Sequence, residues 1–155
     1  MINPLIKTAD IVDVKFGKNV KIVKPVNLYN CVIGNNCFVG PFVEIQKDAI
    51  IGDNCKIQSH SFICELVRIG NNCFISHGVM FINDTFSSNS GPAGGNKALW
   101  KVTNIGNNVS IGTNATILPV DICDNVVIGA GSVVSKSIKI PGIYAGNPAK
   151  LIRKT

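Results

Sequence analysis

Apolar and polar positions alternate along this chain with a period of six residues, and an aliphatic or aromatic residue opens each unit. Nine consecutive hexads keep this register; they begin at Ile33, Val39, Ile45, Ile51, Ile57, Ile63, Ile69, Ile75 and Phe81. The fifth residue of each unit is small or apolar, and it lies two positions before the next aliphatic residue. Two-residue spacing places both side chains on one face of a strand. The pattern therefore predicts short strands joined by turns, because the apolar spacing never settles to the 3.6 residues of a helix.

Every third hexad is nearly identical: IGNNCF at 33–38, IGDNCK at 51–56 and IGNNCF again at 69–74. Glycine often stands second and asparagine fourth, and both residues tolerate a positive φ at a corner. Three hexads make one turn, so equivalent positions of every third hexad should stack at the ~4.8 Å spacing of neighbouring strands. The sequence thus predicts a triangular parallel β-solenoid. Cys37, Cys55 and Cys73 should form one inward column of packed thiols rather than a metal site.

Similar units extend the solenoid on both sides of one break. Counting from Ile11, 13 units start before the break and six start after it, between Ile105 and Val134, which gives about six coils. Residues 87–104 carry no hexad, and their Gly, Ser, Asn and Pro indicate a long loop leaving one corner. The tail should end in a short basic helix from about Pro148. We therefore expect one domain, 1–155, with coils at about 11–86 and 105–139, a loop at 87–104 and a tail at 140–155.

Composition narrows the possible partners. A chain of 155 residues with 46% hydrophobic and 15% charged residues should fold as a single packed domain. The net charge of +6 favours acidic small molecules, whereas scattered basic residues and 6% aromatic content speak against nucleic acid. No apolar run approaches the ~20 residues of a membrane span, and the start MINPLIKTAD lacks signal-peptide character. We expect a cytoplasmic protein that does not bind membranes and whose six cysteines are reduced.

The repeats resemble those of the hexapeptide-repeat acyltransferases, whose pattern is aliphatic-Gly-x-x-small-x. The stretch IQSHSFICELVRIGNNCFISHGVMFINDTF at 57–86, the loop with Trp100, and the segments IGTNATILP and AGNPAK resemble more narrowly the N-acetyltransferases of nucleotide-linked 3-amino sugars. The resemblance implies an all-β, left-handed parallel β-helix that forms a homotrimer with active sites between subunits. It also implies acetyl-CoA as co-substrate and a dTDP- or UDP-linked acceptor, such as a 3-amino-3,6-dideoxyhexose destined for lipopolysaccharide or another surface glycan.

Candidate acceptor-site residues follow from the same resemblance. It implies that Asn83, where the last hexad leaves for the loop, holds the sugar near its reacting amine. Glu65 lies three hexads earlier and should stack below it, where a carboxylate can attract the sugar ammonium. His60 and His77 should flank one another at one corner of adjacent coils and position substrate or accept a proton. The candidate catalytic residues are Asn83, His77 and His60, and the candidate sugar contacts are Asn83, Asp84, Glu65 and Trp100.

The chemistry expected at this site is direct attack by an amine. Hydroxyl-acetylating members have a base histidine where the chain enters the loop, but residues 83–86 read NDTF here. A sugar amine has a usable neutral fraction near pH 8 and needs no obligatory base. The resemblance also implies that turn residues approach the pantetheine arm of CoA through their backbone and that basic residues near the tail meet its phosphates. These candidates are Asn114, Ala115, Gly129, Ala130 and Gly131 for the arm, and Lys136, Lys150 and Arg153 for the phosphates.

Other functions of the same solenoid remain as alternatives. Within the acyltransferases, the acceptor can be a 4-amino sugar or a hydroxyl group. A carbonic anhydrase of this fold uses three histidines per zinc ion, whereas this chain has only two, so no metal is expected. A non-catalytic ice-binding or scaffolding solenoid would not explain the long loop, and the regular outward Thr ladders typical of ice binding are missing.

Overall fold

The computed structural model describes residues 4–6, 8–86, 91–93 and 96–154, most of which lie in very short strands or in the turns between them. A 3-10 turn covers Lys97–Leu99. The strands are β1 Ile11–Val12, β2 Lys15–Phe16, β3 Lys21–Ile22, β4 Asn27–Tyr29, β5 Val32–Ile33, β6 Phe38–Val39, β7 Glu44–Ile45, β8 Ile50–Ile51, β9 Lys56–Ile57, β10 Phe62–Ile63, β11 Val67–Ile69, β12 Phe74–Ile75, β13 Met80–Phe81, β14 Thr103–Ile105, β15 Ser110–Ile111, β16 Thr116–Ile117, β17 Asp121–Ile122, β18 Val126–Ile128, β19 Val133–Val134, β20 Gly142–Ala145 and β21 Lys150–Arg153.

Every third strand belongs to the same sheet, which makes the molecule a triangular prism. Sheet A has the order β1-β4-β7-β10-β13-β16-β19, sheet B has β17-β14-β11-β8-β5-β2, and sheet C has β21-β20-β18-β15-β12-β9-β6-β3. The chain visits A, B and C in turn and so makes three kinds of corner, called here A–B, B–C and C–A. The predicted left-handed parallel β-helix is confirmed. It has about seven turns rather than six, since β20 adds a layer beyond the 19 strands that the hexads predicted.

Two apolar positions per hexad fill the prism. Ile33, Ile51 and Ile69 stack as β5, β8 and β11 of sheet B, and none is more than 3% exposed. Cys37, Cys55 and Cys73 form the predicted inward column, and each Sγ lies 3.1 Å from a glycine carbonyl of the next coil. The hydrophobic effect accounts for this arrangement, because each coil buries the side chains that the neighbouring coils would otherwise leave in water.

The glycines and asparagines of the B–C corner have different roles. Asn36, Asn54 and Asn72 adopt φ values of 55–57°, as predicted for a left-handed corner residue, and their side-chain amides form a hydrogen-bonded ladder. The glycines two positions earlier do not have positive φ, so that part of the interpretation was wrong. A Cβ on Gly34 would lie 2.7 Å from the carbonyl carbon of Gly52, so glycine is needed because the next coil approaches closely.

The loop interrupts the stacking by the length of one coil, which is three hexads. Ile69 pairs with Ile51, three hexads earlier, but Val67 pairs with Thr103, six hexad lengths later. The chain between β13 and β14 therefore contains three extra hexad lengths, as many residues as the loop predicted at 87–104. That prediction extended too far, because Thr103 and Asn104 already belong to β14; its residues 87–90, 94 and 95 lie outside the described part of the chain. The loop leaves the prism at an A–B corner.

The expected C-terminal helix is wrong. β20 continues sheet C in parallel with β18, and β21 turns back to pair with β20 in antiparallel fashion. The Tyr144 hydroxyl donates to the carbonyl of Ile140 at 2.9 Å. The last strand of a solenoid has a row of unpaired backbone groups along its outer edge. A returning strand can hydrogen bond with these groups, whereas a helix cannot.

Candidate active site

The C–A corner aligns many of the candidate residues in one column parallel to the solenoid axis. His60 and His77 lie at this corner in adjacent coils, and the turns of the later coils continue the column toward the C terminus. Backbone hydrogen bonds from each coil to the preceding one join His60 to Pro41 (3.2 Å), Gly78 to Ser59 (3.0 Å), Asn114 to His77 (2.9 Å) and Gly131 to Thr113 (2.8 Å). The two histidines therefore stand on a continuous backbone ladder.

The two imidazoles have different neighbours. The exposed ring of His60 packs on the ring of Phe42, with centroids 4.8 Å apart and planes tilted by 30°. The ring of His77 is also exposed, and its Nδ1 lies 2.8 Å from the hydroxyl Oγ of Ser59. This contact restrains the His77 ring and leaves Nε2 for a substrate. Sequence reasoning missed Ser59, although its spacing of three hexads would have paired it with His77.

Buried hydroxyl groups fix the backbone beneath these histidines. Ser61 donates from Oγ to the carbonyl of Ser76 at 2.8 Å, and Oγ of Ser76 lies 2.8 Å from Oγ1 of Thr113. Ser61 is 1% exposed and Ser76 is 8% exposed. Since a buried polar group is costly unless it is hydrogen bonded, this network should hold the corner in one conformation.

Most of the candidate CoA contacts also lie at the C–A corner. Asn114, Ala130 and Gly131 are exposed and Gly129 is half-buried, all in the turns that follow β15 and β18. A Cβ on Gly131, at φ +66°, would meet no atom within 4 Å, so the surface there is open. Ala115 differs from the others, since its side chain is fully buried and its backbone N–H and C=O bond to Gly112 and Met80. Ala115 therefore offers a ligand no side-chain surface.

The three candidate phosphate-binding residues fall into two places. Lys150 and Arg153 are exposed at the two ends of β21, and the turn before Lys150 closes over the last C–A corner through a hydrogen bond from Ala149 to the carbonyl of Val133. Lys136 lies at an A–B corner, in the turn after β19. Only Lys150 therefore continues the C–A column, because Arg153 pairs with Ile143 toward the B–C end of β20.

The A–B corner carries the acceptor-site candidates. Asn83 follows β13 where the loop departs, is half-buried, and donates from Nδ2 to the carbonyl of Glu65 at 3.3 Å, as their three-hexad spacing predicted. Nζ of Lys97 lies 2.7 Å from both carboxylate oxygens of Glu65, whose side chain is 12% exposed. The same Nζ stands 5.1 Å from the centre of the Trp100 ring. Lys97 therefore ties the loop to the coil.

These contacts change what the acidic residues offer to a substrate. The charge of Glu65 is already matched by Lys97, which sequence reasoning missed because the loop has no period. Asp84 accepts hydrogen bonds from the backbone N–H groups of Phe86 (2.9 Å) and Ala93 (2.7 Å), so both its oxygens serve the loop. Among the A–B candidates, Asn83 and Trp100 are thus the side chains whose contacts leave most capacity for a ligand.

A buried thiol beside Glu65 contributes no nucleophile. Cys64 is 2% exposed, and burial raises the pKa of its thiol to about 12. The thiolate is the reactive form of cysteine, and at neutral pH this group stays protonated. Burial, together with the charges of Glu44 and Glu65, also raises the pKa of Tyr29.

Within one chain the two groups of candidates are kept apart. His77 precedes β13 at the C–A corner and Asn83 follows β13 at the A–B corner, so one side of the prism separates them. Six residues of extended chain correspond to about 20 Å. One chain by itself therefore does not bring the side chains of His77 and Asn83 to the same place.

The described residues contain neither a metal cluster nor a membrane-spanning helix. No cluster of three or more His, Cys, Asp or Glu side chains in this part of the chain is arranged to hold a metal ion. No helix among the same residues is long and apolar enough to cross a membrane.

Comparison with known proteins identifies the class and then the family. Residues 30–65 match the model for bacterial transferase hexapeptides (six repeats), and residues 102–136 match the model for the hexapeptide repeat of succinyl-transferases. The fold and both matches define a β-helix of the hexapeptide transferase class. The chain belongs to the hexapeptide-repeat acyltransferases.

Solved structures extend the likeness over nearly the whole chain. A crystallised mutant of AntD, an N-acyltransferase from Bacillus cereus in complex with dTDP and coenzyme A, is 28% identical with a TM-score of 0.79, and the alignment covers 90% of this chain and 83% of that one. A second mutant of AntD, in the same complex, is 30% identical with a TM-score of 0.62, over 90% and 82% of the two chains.

Curated relatives match over shorter stretches. A probable macrolide acetyltransferase of Lysinibacillus sphaericus is 53% identical over 53 residues, which are 34% of this chain and 29% of the relative. The galactoside O-acetyltransferase of Escherichia coli (strain K12) is 53% identical over 51 residues, 32% of this chain and 25% of the relative. The chain thus spans less than a third of the length of either.

Proposed function

We propose that this protein transfers an acetyl group from acetyl-CoA to the 3-amino group of a dTDP- or UDP-linked amino sugar. The observation that carries the proposal is the likeness to AntD, an N-acyltransferase crystallised with dTDP and CoA, over 90% of this chain and 83% of that one. The net charge of +6 suits two polyanionic substrates. A 3-amino-3,6-dideoxyhexose for a surface glycan, acetylated in the cytoplasm, is the acceptor we expect.

The reaction needs an unprotonated amine held against the thioester. The nitrogen lone pair attacks the acetyl carbonyl, the new C–N bond forms as the C–S bond breaks, and the proton lost from nitrogen ends on the CoA thiolate or solvent. Hydrogen-bond donors near the carbonyl oxygen stabilise its negative charge in the transition state. Asn83 is suited to hold the acceptor, and Nε2 of His77 is the group best suited to contact the reacting atoms, with Ser59 restraining its ring.

CoA is proposed to run along the C–A corner. The exposed turns at Asn114, Ala130 and Gly131 would face its pantetheine arm, and Lys150 and Arg153 would meet its phosphates. From Gly131 to His60 the column rises by three strand spacings, about 14 Å in all. An extended arm along this column brings the thioester toward the histidines.

A homotrimer would complete the site. The two candidate groups lie at different corners of one chain, whereas a cyclic assembly can set the A–B corner of one subunit against the C–A corner of the next. Asn83 and Trp100 of one chain would then face His77 of its neighbour across a cleft. The proposed active site is therefore shared between subunits.

Acetylation of a sugar hydroxyl is the second candidate. It is favoured by the 53% identity to the galactoside O-acetyltransferase over 51 residues. A hydroxyl group needs a base, and His77 would have to serve as that base. Against it stands the absence of histidine from the NDTF segment at 83–86.

Release of CoA thiol from acetyl-CoA tests the proposal. The acceptors are dTDP- and UDP-linked 3-amino and 4-amino sugars, with galactosides and maltose as hydroxyl acceptors. We expect turnover on a nucleotide-linked 3-amino sugar, and a loss of about 100-fold in kcat/KM for Asn83→Ala and His77→Ala. Asn104→Ala, an exposed amide on sheet B, is the matched control and should keep wild-type activity.

Each outcome assigns the function differently. Turnover on galactosides or maltose, without turnover on amino sugars, would replace the proposal by the second candidate. Turnover on 4-amino sugars would retain N-acetylation and change the acceptor position. Full activity of both Asn83→Ala and His77→Ala would show that the site lies elsewhere.

A further inference from the structure

Lysine and phenylalanine alternate along one column on the outer face of sheet C. Strand pairing sets Lys21 beside Phe38, Phe38 beside Lys56, and Lys56 beside Phe74. Neighbouring strands lie about 4.8 Å apart, so the α-carbons of the two lysines are about 10 Å apart with Phe38 between them. This Lys–Phe ladder combines two cations and two aromatic rings on one short surface.

The ladder is open to solvent and its cations are uncompensated. Lys21 and Lys56 are exposed, Phe74 is 39% exposed, and Phe38 is half-buried. The ion pairs among the described residues are formed by Lys24, Lys47 and Lys97. Neither Lys21 nor Lys56 therefore has an acidic side chain as an ion-pair partner in this part of the chain. Two positive charges without counterions favour an anionic ligand.

Side-chain amides complete a concave groove around the lower part of the ladder. The groove is lined by Asn19, Lys21, Asn36, Cys37, Phe38, Lys56 and Gln58. An aromatic face suits a stacked base, ammonium groups suit phosphate oxygens, and amides can both donate to and accept from the edge of a base. A nucleotide can use all three kinds of partner.

We infer that the Lys–Phe ladder binds the nucleoside diphosphate part of the acceptor substrate. The base stacks on a phenylalanine of the ladder, and Lys21 and Lys56 contact the diphosphate. This inference rests on the proposed function and deepens it, because it assigns the nucleotide of the sugar to a particular face. The candidate site residues named from the sequence do not include any member of the ladder.

The groove leads directly to the proposed catalytic corner. Gln58 lines the groove and is followed by Ser59 and His60, which belong to the C–A corner. Lys56 and His60 are four positions apart, at most about 14 Å of chain. A diphosphate held at Lys56 therefore allows its attached hexose to reach the histidines, so the ladder and the C–A column form one continuous surface.

Titration calorimetry on the whole 155-residue chain tests this assignment. The probes are dTDP, UDP and ADP, each without CoA, and CoA alone. We expect Lys56→Ala to weaken dTDP or UDP binding about tenfold, as for a lost charged hydrogen bond, and Phe38→Leu to weaken it about fivefold. Lys139→Ala removes the same charge from an exposed site near the far end of sheet B and should change the Kd less than about twofold.

Several results would overturn the inference. One is equal affinity of Lys56→Ala and Lys139→Ala for dTDP and UDP. Another is a Lys56→Ala variant that has weaker affinity for ADP and CoA but unchanged affinity for dTDP and UDP. This result would assign the ladder to the cofactor. A third is a wild-type protein that binds neither nucleotide. Dissociation of the Lys56→Ala oligomer on size-exclusion chromatography would show that the ladder is a subunit interface instead.

The inference and the proposed function fail separately. Normal turnover of a nucleotide-linked amino sugar by Lys56→Ala and Phe38→Leu would reject the ladder and leave N-acetylation intact. Nucleotide binding that depends on Lys56, in a protein that acetylates none of the amino sugars, would support the ladder and reject the function.

Discussion

Complementation between two inactive variants tests whether the active site is shared by two subunits. His77 lies at the C–A corner and Asn83 at the A–B corner, and β13 lies between them. If each site takes His77 from one chain and Asn83 from its neighbour, then His77→Ala and Asn83→Ala damage different halves of it. Trimers that contain both variants will then include some sites with both native residues.

The expected recovery follows from random assembly. In an equal mixture, a site is intact when its His77 comes from the Asn83→Ala chain and its Asn83 comes from the His77→Ala chain. Each condition has a probability of one half, so about a quarter of the sites are intact. Each variant alone should have about 1% of wild-type kcat/KM, so the mixture should be about 25 times more active than either parent.

Co-expression of both chains at equal levels with one shared affinity tag, followed by the thiol-release assay on the unselected mixture of trimers, measures this recovery. The matched control pairs wild-type chains with chains that carry both substitutions. A shared site predicts about a quarter of wild-type activity for the control, whereas a site within one chain predicts about half. No recovery in the variant mixture, together with half activity in the control, would refute the shared site.

Two further predictions concern the loop and the thiols. Lys97→Met should lower the free energy of unfolding by about 0.5–1 kcal/mol and speed proteolysis in the loop, because it leaves Glu65 unpaired. Lys101→Met should do neither. Equal melting temperatures and equal cleavage rates for the two variants would show that the ion pair does not anchor the loop. A disulfide reagent at pH 8 should react with about one thiol in each native chain, that of the half-exposed Cys123, because burial protects thiols such as that of Cys64. In denaturant it should react with all six. Rapid reaction of all six thiols in the native protein would contradict the packed core.

Much of the geometry of the candidate site was predictable wherever the three-hexad period holds. Asn83 stacks on Glu65, and His60 and His77 share one corner, because neighbouring coils must align to bury their aliphatic residues. The contacts of the loop were not predictable, since residues without a period carry no register. The ion pair between Lys97 and Glu65 was therefore not predicted. Nor was the role of Asp84, which holds the loop by accepting hydrogen bonds from backbone N–H groups.

The C-terminal error has a similar cause. PGIYAGNPAKLIRKT lacks the hexad, and its basic residues suggested a helix, but β20 and β21 pair along the open end of sheet C. Local preference in so short a segment is weak, and the unpaired backbone groups of the last coil outweigh it.

The sequence by itself determined the solenoid, the inward and outward faces and the site of the loop, because burial of apolar side chains follows a local repeat that can be counted. Only the tertiary structure decided the contacts of the segments that carry no repeat. Lys97 reaches Glu65 from the loop, and β21 turns back onto β20. These segments follow no hydrophobic period, so their positions are set only when the chain packs against the finished coils.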